Sequence, residues 1–215
     1  RREHLPARKE RQEVVEHPEV EIVVELIGGT TVAYEVLSAA LQRGRPVVTA
    51  NKELLGLRGA ELARLAAENK ASLSMEASVG GGIPILQVLR EGISGDRIES
   101  VYGILNGTSN FILTEMEKTG APLASILAEA QKRGYAEANP TADVEGYDAR
   151  SKLAILCAFS FGARVPTDAI YRQGITRLTP IDFAYAHRLG YTIRLIGAGV
   201  PSPEGLGLYV RPVLI

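Results

Sequence analysis

The chain has 215 residues, 46% hydrophobic and 23% charged, enough to bury one large or two small cores and too apolar for a disordered polypeptide. A formal net charge of -1 leaves no basic footprint for nucleic acid or for an anionic membrane surface, and the single cysteine, Cys157, excludes an intramolecular disulfide and a zinc cluster. No apolar stretch approaches bilayer-spanning length and the first residues lack a signal peptide's apolar region, so the sequence predicts a soluble, cytoplasmic protein with no membrane partner.

Arg1, Arg2, Arg8, Lys9 and Arg11 interleave with Glu3, Glu10 and Glu13 and predict a solvated helix. A β-branched run at 20–27 ends in GGTT at 28–31, and 33–44 has helical period with a glycine stop. A second strand is expected at 46–50, a helix at 56–69 and a third strand at 71–76. Strand, helix, strand, helix, strand with short loops predicts an α/β fold, a partial Rossmann-like parallel sheet joined by right-handed crossovers. Such sheets bind ligands beyond the carboxyl ends of their strands, here at 28–31, 49–52 and 76–82. Glycine and threonine at strand ends are also ordinary turn chemistry, but three such loops in register favour a ligand. No Gly-x-Gly-x-x-Gly follows a leading strand, so residues 1–82 are expected to form an incomplete dinucleotide-binding domain that lacks the first β-α unit and its pyrophosphate cradle.

From 83 the pattern changes to an α+β substrate and dimerisation domain, 83–215. A helix with proline near its first turn is expected at 83–92 and a strand at 97–105, followed by the loop 106–110. Helices follow at 111–118, 123–133, 143–161 and 180–189, and the strands 191–200 and 206–215, joined by 201–205, predict a hairpin. Cys157 lies in an apolar run and reads as a small core side chain, while His4, His17 and His187 have no ligand spacing.

The segment 134–152, GYAEANPTADVEGYDARSK, carries the chemistry. Asp148 and Lys152 stand four apart and share one helix face. Taken alone, that is a common surface pair contributing about 0.3 to 0.5 kcal/mol. Here the acids lie among Gly, Pro and Asn, and the lysine opens the apolar run 153–161, which should be a buried helix. A lysine so placed can pass a proton to or from a substrate oxygen, and a carboxylate such as Glu137 can hold an ammonium group. The segment suits an amino-acid-like small-molecule substrate.

With 47–55 (VVTANKELL), 102–112 (YGILNGTSNFI) and 134–152 considered together, the chain resembles homoserine dehydrogenase from about residue 20 onward, in order and with the family's spacing. The resemblance implies an oxidoreductase that interconverts L-homoserine and L-aspartate 4-semialdehyde with NADP or NAD in threonine, methionine and isoleucine biosynthesis, usually as a cytoplasmic homodimer. Lys152 matches the proton donor, Glu137 the residue that binds the α-ammonium, and Asp143 and Asp148 the acids that orient substrate and lysine. Thr30, Asn51 and Lys52 match cofactor-contacting positions, with Lys52 lying between nicotinamide and substrate and so serving catalysis and substrate binding. Glu76, Val79, Gly81 and Ile83 match a Na+ loop of mostly main-chain oxygens, for which a glycine-rich interdomain hinge is the alternative. Asn139 stands where the family often has Asp, and a carboxyl-terminal return to the nucleotide domain is not found. The rival readings are another amino-acid oxidoreductase of this build, or an inactive dimerisation or ligand-binding module.

Overall fold

A computed structural model describes residues 8–215. Arg1, Arg2, Glu3 and His4 lie outside the described residues. Packing divides the chain into two units, Arg1–Asp96 and Arg97–Ile215.

The first unit runs α1 (Arg8–Glu16), β1 (Val23–Glu25), α2 (Val32–Gln42), β2 (Val47–Thr49), α3 (Lys52–Glu68), β3 (Leu73–Ser74) and α4 (Ile85–Gln87), the last continued by a π-helical turn over Val88–Gly92. The three strands form a parallel sheet in the order β1-β2-β3, with Glu25 opposite Thr49. Helix α2 buries Ala33, Leu37, Ala40 and Leu41, the spacing of one helical face, and it stops ahead of Gly44, whose φ of +70° most side chains avoid. Helix α3 begins at Lys52 rather than near 56, because the Asn51 side chain accepts from the Leu54 amide at 3.1 Å and caps the helix there. The segment after residue 82 packs with this unit. The Glu76 carboxylate accepts from the amides of Leu86 and Gln87, both at 2.9 Å, and so ties α4 back to the end of β3.

The second unit runs β4 (Val101–Gly103), α5 (Gly107–Thr119), α6 (Leu123–Lys132), α7 (Thr141–Val144), α8 (Tyr147–Phe161), β5 (Tyr171–Arg172), α9 (Pro180–Arg188), β6 (Ile193–Ser202) and β7 (Gly205–Leu214). Its sheet has the order β4-β6-β7-β5, with β6 and β7 as the expected antiparallel hairpin. The hairpin closes more tightly than 201–205 suggested, since Ser202 already pairs with Gly205. Strand β5 was not expected. It is two residues long and is held parallel to β7 by a register, Tyr171↔Tyr209, that no local pattern encodes.

The single helix expected over 143–161 is two. Helix α7 ends at Val144, and α8 starts at Tyr147 after Gly146, which has a φ of +80° that breaks the ladder. The apolar run after Lys152 is buried as expected, with Leu153, Ala154, Ile155, Leu156 and Cys157 all inside. Leu153, Ala154 and Cys157 join Ile112, Leu113 and Met116 of α5 and Leu195 and Val210 of the sheet in one core. A fully buried leucine contributes about 1.5–3 kcal/mol, so this core is the main source of the unit's stability. Its packing leaves no room at Gly199, where a Cβ would lie 2.5 Å from the Cys157 sulfur.

Candidate active site

In the second unit the break between α7 and α8 sets two carboxylates on either side of a bend, and the amino end of α5 faces them. Asn106 caps α5, its Oδ1 accepting from the Ser109 amide at 2.8 Å. Its Nδ2 donates to Asp143 Oδ1 at 2.6 Å and to Asp148 Oδ2 at 2.8 Å. That same Asp148 oxygen accepts from Lys152 Nζ at 2.7 Å, and Lys152 also donates to the main-chain oxygen of Leu105 at 3.0 Å. The Asp148 side chain is 7% exposed and that of Lys152 20%, so the pair is largely withdrawn from water yet its ammonium can still be reached. Removing either partner leaves a charge poorly solvated, which gives the pair far more consequence than a surface ion pair.

The ammonium has three N–H donors. Among the described residues two are engaged, by Asp148 and by Leu105, which leaves one to meet an oxygen of a bound molecule. The bend itself is braced from two sides. Ser109 Oγ donates to the Asp143 carbonyl at 2.8 Å, and the Ile175 amide donates to the Val144 carbonyl at the same distance.

Glu137 lies in the same unit on the loop between α6 and α7. It is exposed, and its carboxylate has no hydrogen-bond partner among the described residues. Its main-chain oxygen is fixed by Gln131 Nε2 at 2.9 Å, and the Tyr135 carbonyl by Thr108 Oγ1 at 3.1 Å. The backbone of the loop is therefore held while the acid stays available to a cation.

In the first unit, the ends of β1 and β2 are joined by Glu25, which is buried. Its Oε2 accepts from Thr49 Oγ1 at 2.6 Å, and its Oε1 accepts from the amides of Ile27 at 2.7 Å and Gly28 at 2.9 Å. Thr49 Oγ1 in turn accepts from the Asn51 amide at 3.0 Å, and Asn51 Nδ2 donates to the Gly29 carbonyl at 2.7 Å. Gly28 and Gly29 have φ of +76° and +69°, and nothing lies within 4 Å of where their side chains would be. The turn beyond β1 is thus fixed from below and open above, which suits close approach of a flat ring or a phosphate to the backbone. Thr30 is half-buried on this turn, and Lys52, also half-buried, opens α3.

The loop after β3 includes Glu76, Val79, Gly81 and Ile83. Both carboxylate oxygens of Glu76 are engaged in capping α4. Among the described residues no group of three or more His, Cys, Asp or Glu is arranged for a metal ion. Burial pushes the Cys157 thiol up to about 12, consistent with a core side chain and not a nucleophile.

Asp143, Asp148 and Lys152 are brought together, with Asn106 linking them. Sequence reasoning passed over Asn106 as part of a loop, and Glu25 as part of a strand. The signal for Asn106 was the spacing of Asn with an apolar helical run, an N-cap pattern that marks a side chain turned toward a helix end. Glu25 could have been found as an acid interrupting a β-branched run.

The comparisons with known proteins agree along the chain. The family model described as the homoserine dehydrogenase NAD binding domain matches residues 2–76, and that described as homoserine dehydrogenase matches residues 84–215. A homoserine dehydrogenase of Neisseria gonorrhoeae is 46% identical over 207 residues, covering 96% of this chain and 48% of the relative. The solved homoserine dehydrogenase of Thiobacillus denitrificans is 48% identical with a TM-score of 0.93, covering 95% of this chain and 47% of that one. A hyperthermophilic archaeal homoserine dehydrogenase solved in complex with NADPH is 30% identical with a TM-score of 0.81, covering 95% and 59%. The chain spans about half the length of the curated relatives it matches. Among the described residues no helix is long and apolar enough to cross a membrane.

Proposed function

The chain belongs to the homoserine dehydrogenase family, and we propose that it serves the nicotinamide-dependent interconversion of L-homoserine and L-aspartate 4-semialdehyde. The observation that carries this reading is the Lys152 ammonium, paired with Asp148 Oδ2 and the Leu105 carbonyl and keeping one donor for a substrate oxygen. When bound, the dihydronicotinamide supplies the hydride that the aldehyde carbon accepts. Lys152 gives its proton to the aldehyde oxygen as negative charge develops there, which both neutralises and stabilises that oxygen. Asp148 keeps the amine aimed, while Glu137 holds the α-ammonium and Asp143 supplies a second acid to orient the substrate.

On the first unit Thr30, Asn51 and Lys52 contact the cofactor, Lys52 also serving substrate and catalysis. The open turn at Gly28 and Gly29 supports this, as does the NADPH complex of the archaeal relative. A sodium ion belongs to the proposal at the loop of Glu76, Val79, Gly81 and Ile83, held mostly by main-chain oxygens. A cytoplasmic homodimer is proposed with it. The exposed Tyr102 and Tyr171, brought to one face of the second sheet through Ala198 and Tyr209, support an association surface.

The test is oxidation of the dihydronicotinamide in the presence of L-aspartate 4-semialdehyde, with other amino-acid aldehydes as competitors. Lys152→Ala should abolish turnover and leave the circular dichroism spectrum intact. An unchanged kcat removes the assigned role, and equal turnover of unrelated aldehydes removes the assigned substrate.

A further inference from the structure

Asn106 does two separable things. Through Oδ1 it caps α5, accepting from the Ser109 amide at 2.8 Å. Through Nδ2 it bridges the two acids of the bend, reaching Asp143 Oδ1 at 2.6 Å and Asp148 Oδ2 at 2.8 Å. The residue is 4% exposed, its side-chain amide is engaged at both ends, and its main-chain oxygen accepts from Asn110 Nδ2 at 3.0 Å, which fixes the backbone that carries it. Every polar group of the side chain is satisfied, which is the condition under which a buried polar network fixes one geometry. We infer that Asn106 is a positioning residue that aims the proton donor, by holding Asp148 Oδ2 at the point where it can also receive the Lys152 ammonium. This rests on the proposed function of the same site.

The physical case is that like charges need a reason to stay together. Asp143 and Asp148 both put an oxygen within hydrogen-bond distance of one amide nitrogen, and two carboxylates that close repel unless a donor lies between them. The Asn106 amide is that donor and, being uncharged, it does not compete with Lys152 for the pair. Without it, Asp148 Oδ2 loses the donor it shares with Asp143, while the repulsion from Asp143 remains. Lys152 would keep its Leu105 contact but lose its direction, because that contact comes from the residue preceding Asn106 and constrains the amine from one side only. A misplacement on the order of 1 Å can lower turnover about 10²-fold.

The two roles come apart by substitution. Asp and Ser cap helices about as well as Asn, so Asn106→Asp and Asn106→Ser retain α5. Asn106→Asp turns the bridge into a third carboxylate, and Asn106→Ser removes the bridge without adding charge. Both variants and the parent are to be assayed for semialdehyde reduction and for the rate at which an amine-specific acylating reagent labels Lys152, read by peptide mass spectrometry. For both variants the expected result is retained amide protection of α5, kcat lowered about 10²-fold with the KM for dihydronicotinamide retained, and a several-fold change in Lys152 labelling, faster in Asn106→Ser. Folded variants with unchanged Lys152 labelling overturn the inference whatever the turnover, and so does an unchanged kcat in an active parent. If both variants lose α5, amide exchange shows it, and the residue is then a cap and not a positioning group. A parent that does not reduce the semialdehyde defeats the functional reading, while the labelling rates still decide the role of Asn106.

Discussion

Replacing Glu25 by alanine tests whether the turn beyond β1 is held by one carboxylate. Glu25 is 1% exposed and accepts three hydrogen bonds, from Ile27, Gly28 and Thr49. The three do not count equally. Ile27 and Gly28 are exposed, so water can replace the lost acceptor, and their shares shrink to a fraction of the about 1 kcal/mol of an ordinary hydrogen bond. Thr49 is 1% exposed, and stranding its hydroxyl costs about 1–3 kcal/mol. With a modest loss of packing, Glu25→Ala should destabilise the region by about 2–4 kcal/mol. Glu25→Gln keeps the shape and one acceptor oxygen and should cost about 1 kcal/mol. A chain of two units need not unfold in one transition, so the suitable assay is amide hydrogen exchange at residues 47–54 rather than a global melt. At 1.36 kcal/mol per decade, the alanine variant should exchange about 30-fold to 10³-fold faster there, with amides of α5 and α8 unaffected. Exchange in Glu25→Ala equal to that in the parent would show that the carboxylate does not hold the strand ends.

Gly174→Ala should destabilise the second unit by about 1–3 kcal/mol, lowering its thermal midpoint by several degrees, because the added Cβ would lie 2.4 Å from the Val144 carbonyl and 2.6 Å from Glu145 Cα, backbone that cannot swing aside. Gly95→Ala, with nothing within 4 Å, is the neutral control. Cys157 should resist iodoacetamide at pH 8 in the native protein and react once the chain is unfolded, as mass spectrometry will show, since burial pushes its thiol up to about 12. Because that folded value lies above the ordinary 9.0, the thiol's contribution to stability is complete below pH 9 and is lost as pH rises toward 12. Urea midpoints between pH 9 and 11 should accordingly fall more steeply in the parent than in Cys157→Ala.

What was legible in the sequence is what short-range physics encodes. The β-branched run that became β1, the apolar face of α2 and its glycine stop, and the buried course of α8 all follow from periodicity and from which residues tolerate positive φ. Two local signals were present and underused: Asn51 as a cap moves the start of α3 to Lys52, and Gly146 divides α7 from α8. The pair of Asp148 and Lys152 is also local, a matter of one helical turn. Contacts between distant residues were not legible. Asn106 meets Asp143 and Asp148 across 37 and 42 residues, and Glu25 meets Thr49 across 24. A sequence shows that these side chains are polar, but not that they are buried or by whom they are satisfied.

The residues that were missed share a physical property. Asn106 and Glu25 are buried polar groups whose partners are supplied by the fold: Asn106 reaches Asp148, already singled out by motif, and Glu25 reaches Thr49, which accepts from the Asn51 amide. Burying such a group costs several kcal/mol unless its bonds are made, so the fold tolerates it only where one arrangement makes them all. That requirement converts a stability problem into positional accuracy, which a proton donor and a cofactor-facing turn need and which side chains half-open to water cannot provide for themselves. Lys152 must stay accessible to react, and it is therefore aimed by Asp148, which is not. The division of labour explains why motif reading finds Lys152, by its chemistry, and overlooks the buried Asn106.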